Sequence, residues 1–468
     1  MTVNPVRRTF GSTIALAGLV ACSDAAKVVV GTEPSAPATP AAVTVLMSED
    51  AQAATVGRPF TFNLAQSRIR FSDPPGAGLT YRITLTPKAT GLAVSGMEIT
   101  GVPNAVSVIT ATVTATDVNQ QSAEARFPII AQRADLPEPR LPATPYAYAD
   151  ESAPLPPAIA NSPQVVRIDN MTAANRVTDA GAALGRVLFY DRRLSVNDQV
   201  ACASCHQQQF SFSDTARFSI GVSGAPTRRH SMPLTNVRFY GPARFFRDER
   251  AATLEDLALQ PVFDASEMGL PPDVLVPKLR MARYYAPLYA AAFGDSAITA
   301  DRTARALAQF VRALKTTNSK IDSLLAGTTT FSSQEVEGQI LFEATGCRSC
   351  HESYAVVSDA ARNNGLDATN LDHGAGQGRL KSPSLRNVVQ RPPYMHDGRF
   401  RTLEAVIDFY DAGVQDNPDL DHRLRAPDGS PRRLHLASSQ KLALVAFLHT
   451  LTDRAFLADP RFSNPFPH

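Results

Sequence analysis

Cys202-Ala203-Ser204-Cys205-His206 returns downstream as Cys347-Arg348-Ser349-Cys350-His351. Cys-x-x-Cys-His is the attachment pattern of c-type haem: two thiols add to the porphyrin vinyl groups and the adjacent imidazole takes the iron. Both thioethers then leave one short turn, which presents the histidine ring to the metal. A thioredoxin-like dithiol or a four-cysteine zinc site uses the same cysteines. Neither needs a histidine directly after both second cysteines. Two covalently bound haem c groups are therefore expected, on Cys202, Cys205 and His206 and on Cys347, Cys350 and His351.

The sequence before each motif repeats as well. Gly185-Arg186-Val187-Leu188-Phe189 and Gly338-Gln339-Ile340-Leu341-Phe342 are versions of one unit. Thr178 is placed to cap a helix carrying Leu184, Val187 and Leu188. Ser332 with Glu335 makes a capping box ahead of an apolar stripe of Val336, Ile340 and Leu341. A last helix near 439–453 sets Leu444, Val445, Leu448 and Leu451 on one side, and the Ala-Leu-Val pattern at 301–325 joins the two units. Two mainly α, cytochrome-c-like haem domains follow, at 165–320 and 321–468.

Upstream the pattern changes. Phe60 to Leu64, Leu79 to Ile83 and Val108 to Thr116 alternate as strands, separated by turns such as Asp73-Pro74-Pro75-Gly76. Residues 43–133 thus read as an all-β sandwich, followed by a Pro-rich linker at 134–164. The run Ile99-Thr100-Gly101-Val102-Pro103 with Ala115-Thr116-Asp117 resembles the bacterial cadherin-like immunoglobulin-fold repeat. The first 22 residues hold Arg7, Arg8 and an apolar run to Ala21, too short to span a bilayer. Four of five cysteines belong to the haem motifs. The fifth, Cys22, closes Leu19-Val20-Ala21-Cys22 and resembles a lipoprotein signal, which implies a lipid-anchored protein of the periplasm or cell envelope, tethered through 23–42. With 46 Lys and Arg against 44 Asp and Glu, and no basic run, no nucleic-acid partner is expected.

Residues 165–455 resemble the bacterial di-haem cytochrome c peroxidase/MauG superfamily. The resemblance is carried by the two haem motifs, Leu184 to Phe189, Arg250-Ala251-Ala252-Thr253-Leu254-Glu255, Ser266-Glu267-Met268-Gly269, Lys381-Ser382-Pro383-Ser384-Leu385-Arg386-Asn387 and Pro393-Tyr394-Met395-His396-Asp397-Gly398, in family order. It implies that the first haem is the peroxidatic one and the second the electron-transfer one. Glu267 falls on the family's distal acid–base, and Pro261 on a proline of the distal pocket. The family's loop histidine, which caps the first iron in ordinary peroxidases, is Val222 here, so that iron keeps an open face; His230 is a rival cap. The sixth ligand of the second haem falls on Tyr410, with Met395 as its rival. Lys381 and Arg386 are implied haem-propionate contacts. His230 and the carbonyls of Arg391 and Pro393 fall at an inter-domain calcium site. The inter-haem tryptophan of the family's Phe-Trp-Asp run is absent: it reads Phe246-Arg247-Asp248, in a chain with no Trp. An aromatic relay then uses Tyr240, Phe245 or Phe246, or the haems couple through space with Arg247 screening them.

The expected activity is oxidation by hydrogen peroxide, either MauG-like, acting on a partner protein in the periplasm, or as a conventional cytochrome c peroxidase fed by a small c-type cytochrome or cupredoxin. A non-enzymatic di-haem electron carrier is the alternative of a different class.

Overall fold

The computed structural model describes residues 42–467 except 75, 77, 89, 242–243 and 353–359. The lipid-anchor reading at Cys22 and the tether at 23–41 lie outside the described residues. Among the described residues, no helix is long and apolar enough to cross a membrane.

Residues 45–132 form the sandwich. Its four-stranded sheet runs in the order Gln52–Thr55, Ser122–Gln132, Ser107–Thr116, Thr80–Thr86, and faces a three-stranded sheet of Phe60–Asn63, Glu98–Gly101 and Leu92–Ser95. The first strand of the larger sheet pairs parallel with the last, Gln52 opposite Ile129. Alternation fills the interior: Ile109, Ala111 and Val113 from one strand meet Phe127 and Ile129 from its neighbour, with Phe62 stacked 4.7 Å from Phe127. Ile130 points the other way and is buried in the core of the first haem domain. Two consecutive isoleucines are both buried because this strand is covered on both faces. The following segment is bound to the protein as well: Arg193 donates to the carbonyls of Leu136 and Pro137, and Tyr148 is buried.

Both haem domains use one helix-crossing device. Thr178 caps helix Asp179–Tyr190, accepting from the Gly181 amide, and Gly185 lets that helix approach helix Ala300–Ala313 until a Cβ there would stand 2.0 Å from the Ala306 carbonyl oxygen. In the second domain, helix Ser333–Ala344 meets helix Ser438–His449, and a Cβ on Gly338 would stand 1.9 Å from the Ala443 carbonyl oxygen. Phe310 and Phe447 pack beside the two glycines in equivalent places. The Ser332–Glu335 capping box is present. The expected stripe is corrected: Val336 and Ile340 are exposed, and Gly338 and Phe342 are the buried pair of that helix.

Residues 454–467 leave the second domain and return to the first. Phe456, Phe462 and Phe466 insert into its core, while Arg186 Nε, the Tyr190 hydroxyl and the Tyr148 hydroxyl donate to the carbonyls of Ser463, Phe462 and Arg461. Gln208, two residues past His206, donates to the carbonyls of Phe456 and Asp459.

Candidate functional site

At the first motif, Cys202–Cys205 forms one helical turn, and the His206 amide closes on the Cys202 carbonyl at 3.0 Å. Ser211 and Phe212 then both take left-handed backbone, φ 58° and 57°, a conformation bulky residues rarely adopt. The reversal aims the Phe212 carbonyl at His206 Nδ1, 2.8 Å away. With Nδ1–H donated there, Nε2 keeps its lone pair for a metal. Burial pushes the His206 pKa down and favours the neutral ring that ligation requires; it also pushes the thiols of Cys202 and Cys205 up, to about 12 and about 11.

The Glu267 charge adds to the upward push on both thiols, behind the larger effect of burial. It sits in a turn whose backbone is fastened to the Val222 loop: the Val222 amide donates to the Glu267 carbonyl at 2.8 Å, and a Cβ on Gly221 would meet the Ser266 carbonyl oxygen at 1.9 Å. Burial first, and the neighbouring Asp264 second, raise the Glu267 carboxyl above its ordinary range. Pro261 holds the same turn through its carbonyl, which accepts from the Met268 amide.

At the second motif, His351, Cys347 and Cys350 line a cavity of about 230 Å³. Tyr410 and Met395 both border it. Asn364 Nδ2 lies 3.2 Å from the Tyr410 hydroxyl oxygen and 3.8 Å from the Met395 sulfur. Tyr410 is carried by a π-helical stretch, Phe409–Gly413, that continues helix Leu403–Asp408, and burial pushes its phenol up to about 12. Such wide turns change where a side chain points and recur at functional sites.

The other expected site residues divide. Lys381 borders the cavity and ion-pairs with Glu249 at 3.2 Å, its Nζ 5.5 Å from the Tyr240 ring centroid. Arg386 does not border it: its guanidinium binds Ser319 and Asp322 at 2.7 and 2.9 Å, because Asp322 caps the 320–325 helix and recruits a buried counter-charge. His230 borders the cavity, yet its ring nitrogens face Ser213 Oγ at 3.3 Å and the Ala216 carbonyl at 3.1 Å. Burial, with the charges of Arg247 and Arg391, pushes its pKa down to about 4. Guanidinium neighbours oppose a calcium ion there, and among the described residues no group of three His, Cys, Asp or Glu gathers at a candidate metal site. The Arg391 side chain, read only for its carbonyl, is instead a wall of the cavity together with Arg247.

A model of the di-haem cytochrome c peroxidase family matches residues 179–330, and an Ig-domain model matches 40–131. The methylamine utilization protein MauG of Methylorubrum extorquens is 34% identical over 291 residues, 59% of this chain and 80% of that protein. This chain belongs to the di-haem cytochrome c peroxidase/MauG family. The cytochrome c551 peroxidase of Nitrosomonas europaea is 31% identical, over 48% of this chain and 71% of its own. A crystal structure of a MauG-like protein associated with microbial copper homeostasis overlays with TM-score 0.58 at 31% identity, covering 65% of this chain and 98% of that one. The diheme peroxidase BthA of Burkholderia thailandensis, at 23% identity and TM-score 0.51, shares the fold. Family membership makes this an oxidoreductase of peroxidase type with two haem c groups. The residues fit them: paired thiols, a histidine oriented through Nδ1, and buried guanidinium N–H groups of Arg247 and Arg391 without an acceptor at the second cavity.

Proposed function

We propose that the protein reacts with hydrogen peroxide at the first haem site and uses the oxidising equivalents, shared with the second, to oxidise a partner protein of the cell envelope. The observation that carries this is the pairing of Glu267 with Val222. A raised carboxyl lies within electrostatic reach of the attachment cysteines, and the loop fastened to its backbone offers only an aliphatic side chain where the family's capping histidine falls. The haems, when bound, supply the redox chemistry. His206 is held in the ligating tautomer by the Phe212 carbonyl. Glu267 accepts a proton from one peroxide oxygen and returns it to the other, and Pro261 and Val222 keep the approach apolar. His351 and Tyr410 serve the second site; an anionic oxygen ligand favours the more oxidised metal, where a thioether favours the reduced one.

Met395 beside Tyr410 favours a second reading, a conventional cytochrome c peroxidase drawing electrons from a small donor protein. The test is the absorption and EPR spectrum of the ferric protein before and after one equivalent of peroxide, with no reductant. One high-spin and one low-spin haem, reacting directly, are expected. Two low-spin haems that stay inert until half-reduced would overturn the reading. Y410F should alter the low-spin spectrum, and an unchanged spectrum would pass that ligand role to Met395. Anchoring through a lipid on Cys22 belongs to the same proposal; loss of membrane association in C22A checks it.

A further inference from the structure

We propose that Arg247 and Arg391 form a two-cation clamp for the carboxylates of the second haem, and that the clamp raises this haem's reduction potential. The inference rests on reading the cavity at His351 as the second haem site. Arg247 and Arg391 both border that cavity and are only 7% and 4% exposed. The Nε of each is buried with no hydrogen-bond partner. Among the described residues neither guanidinium has a carboxylate within ion-pair distance, and Arg391 Nη2 reaches only the Ser384 carbonyl. Their cationic neighbours are matched: Lys381 with Glu249, Arg362 and Arg423 with Asp421, Arg229 with Asp372. Arg432 on the same wall also lacks an ion pair but is only half-buried, so among the described residues Arg247 and Arg391 are the two fully buried charges of the wall left without a counter-charge.

Burying a guanidinium without a counter-charge is costly, and here burial pushes both groups down to about 10, with the charge on Arg391 adding to the effect at Arg247. A ligand with two carboxylates removes that cost. Haem carries two, and the planar guanidinium fork matches a carboxylate with paired N–H donors. The tryptophan that the family resemblance places at 247 has one N–H and no charge. Its replacement by Arg247 therefore changes the electrostatics of the second haem as well as removing an aromatic ring from between the two. Reduction adds an electron, which nearby cations favour, so the clamp stabilises the reduced form. This acts against an anionic ligand such as a tyrosinate, leaving the two influences to balance at one iron.

The test is a spectroelectrochemical titration of the full-length holoprotein, following the low-spin haem. In R247Q its equilibrium should move about tenfold toward ferric, 59 mV for one electron. R391Q should move the same way, and it keeps the test open if R247Q does not accumulate. R247K, which keeps the charge, should stay within about twofold of the unsubstituted protein. The high-spin haem should move less than the low-spin one in all three. No displacement in R247Q and R391Q, or an equal one in R247K, overturns the clamp. Fewer than two covalently bound haems per unsubstituted chain defeats instead the reading of the cavity on which it rests.

Discussion

A carboxyl withdrawn from water beside another acid keeps its proton to higher pH than one in solvent, and Glu267 is in that position. In the proposed mechanism its ionised form takes the first peroxide proton. The rate of reaction of ferric protein with peroxide should therefore rise with pH through this raised pKa and level off above it. An amide neither accepts nor returns a proton, so E267Q should react about 100-fold more slowly and lose the pH dependence. Stopped-flow absorbance measures both, and an unchanged rate and profile would remove Glu267 from the chemistry. At this scale the sequence was readable where chemistry is local. Cys-x-x-Cys-His brings its thiols and histidine into one turn, and the Ser266-Glu267-Met268-Gly269 block leads to a carboxyl raised by burial and by Asp264. It was unreadable where a partner comes from far along the chain. Arg386 is claimed by Asp322, 64 residues away, whereas among the described residues Arg391 has no acid within ion-pair distance and its Nε is left without a partner. Nothing in either short stretch distinguishes the two arginines.

The helix crossings put a different kind of residue under constraint. Gly185 and Gly338 each lie against the backbone of the partner helix, so a methyl group at either position forces the pair apart. G185A and G338A should each cost about 1–3 kcal/mol, read as a lower denaturation midpoint in urea at unchanged slope. A variant as stable as the native protein would show that the crossing can relax. The repeat of Gly-x-x-Leu-Phe and the caps at Thr178 and Ser332 were legible, because capping and helix-end chemistry are written within four residues. The buried face of the 333–344 helix was not. A hydrophobic count favours Val336 and Ile340, but close approach demands Gly338, a residue that such a count passes over. The π-helical turn at Tyr410 was equally invisible, since one extra residue in a turn leaves no mark on composition.

Between the haem domains, Arg229 joins Asp372 of the second domain at 2.6 Å and Asp248 at 2.7 Å. Arg229 holds the Asp372 carboxyl at about 2, below its ordinary 3.8. A depressed folded-state pKa contributes stability that is fully present above the ordinary value and lost as pH falls through about 2. Thermal unfolding across that window should show the native protein losing about 1–2 kcal/mol more than D372N. Parallel curves would mean that the pair contributes nothing to the seam. The division into a sandwich and two haem domains could be seen in the sequence from the change of periodicity. That the sandwich shares Ile130 with the first haem domain's core could not, because alternation shows which residues face inward but not what covers the other side.

The segment at 454–467 ties the order of synthesis to the order of closure. A ribosome delivers the first haem-binding unit well before Phe456, Phe462 and Phe466, yet these rings complete its interior. Wherever the chain folds, the first unit therefore cannot close until the C-terminal segment is present, and through Gln208 the loop behind His206 takes its support from the carbonyls of Phe456 and Asp459. Cys202 and Cys205 thus lie in a unit whose interior stays incomplete until the C-terminal segment docks.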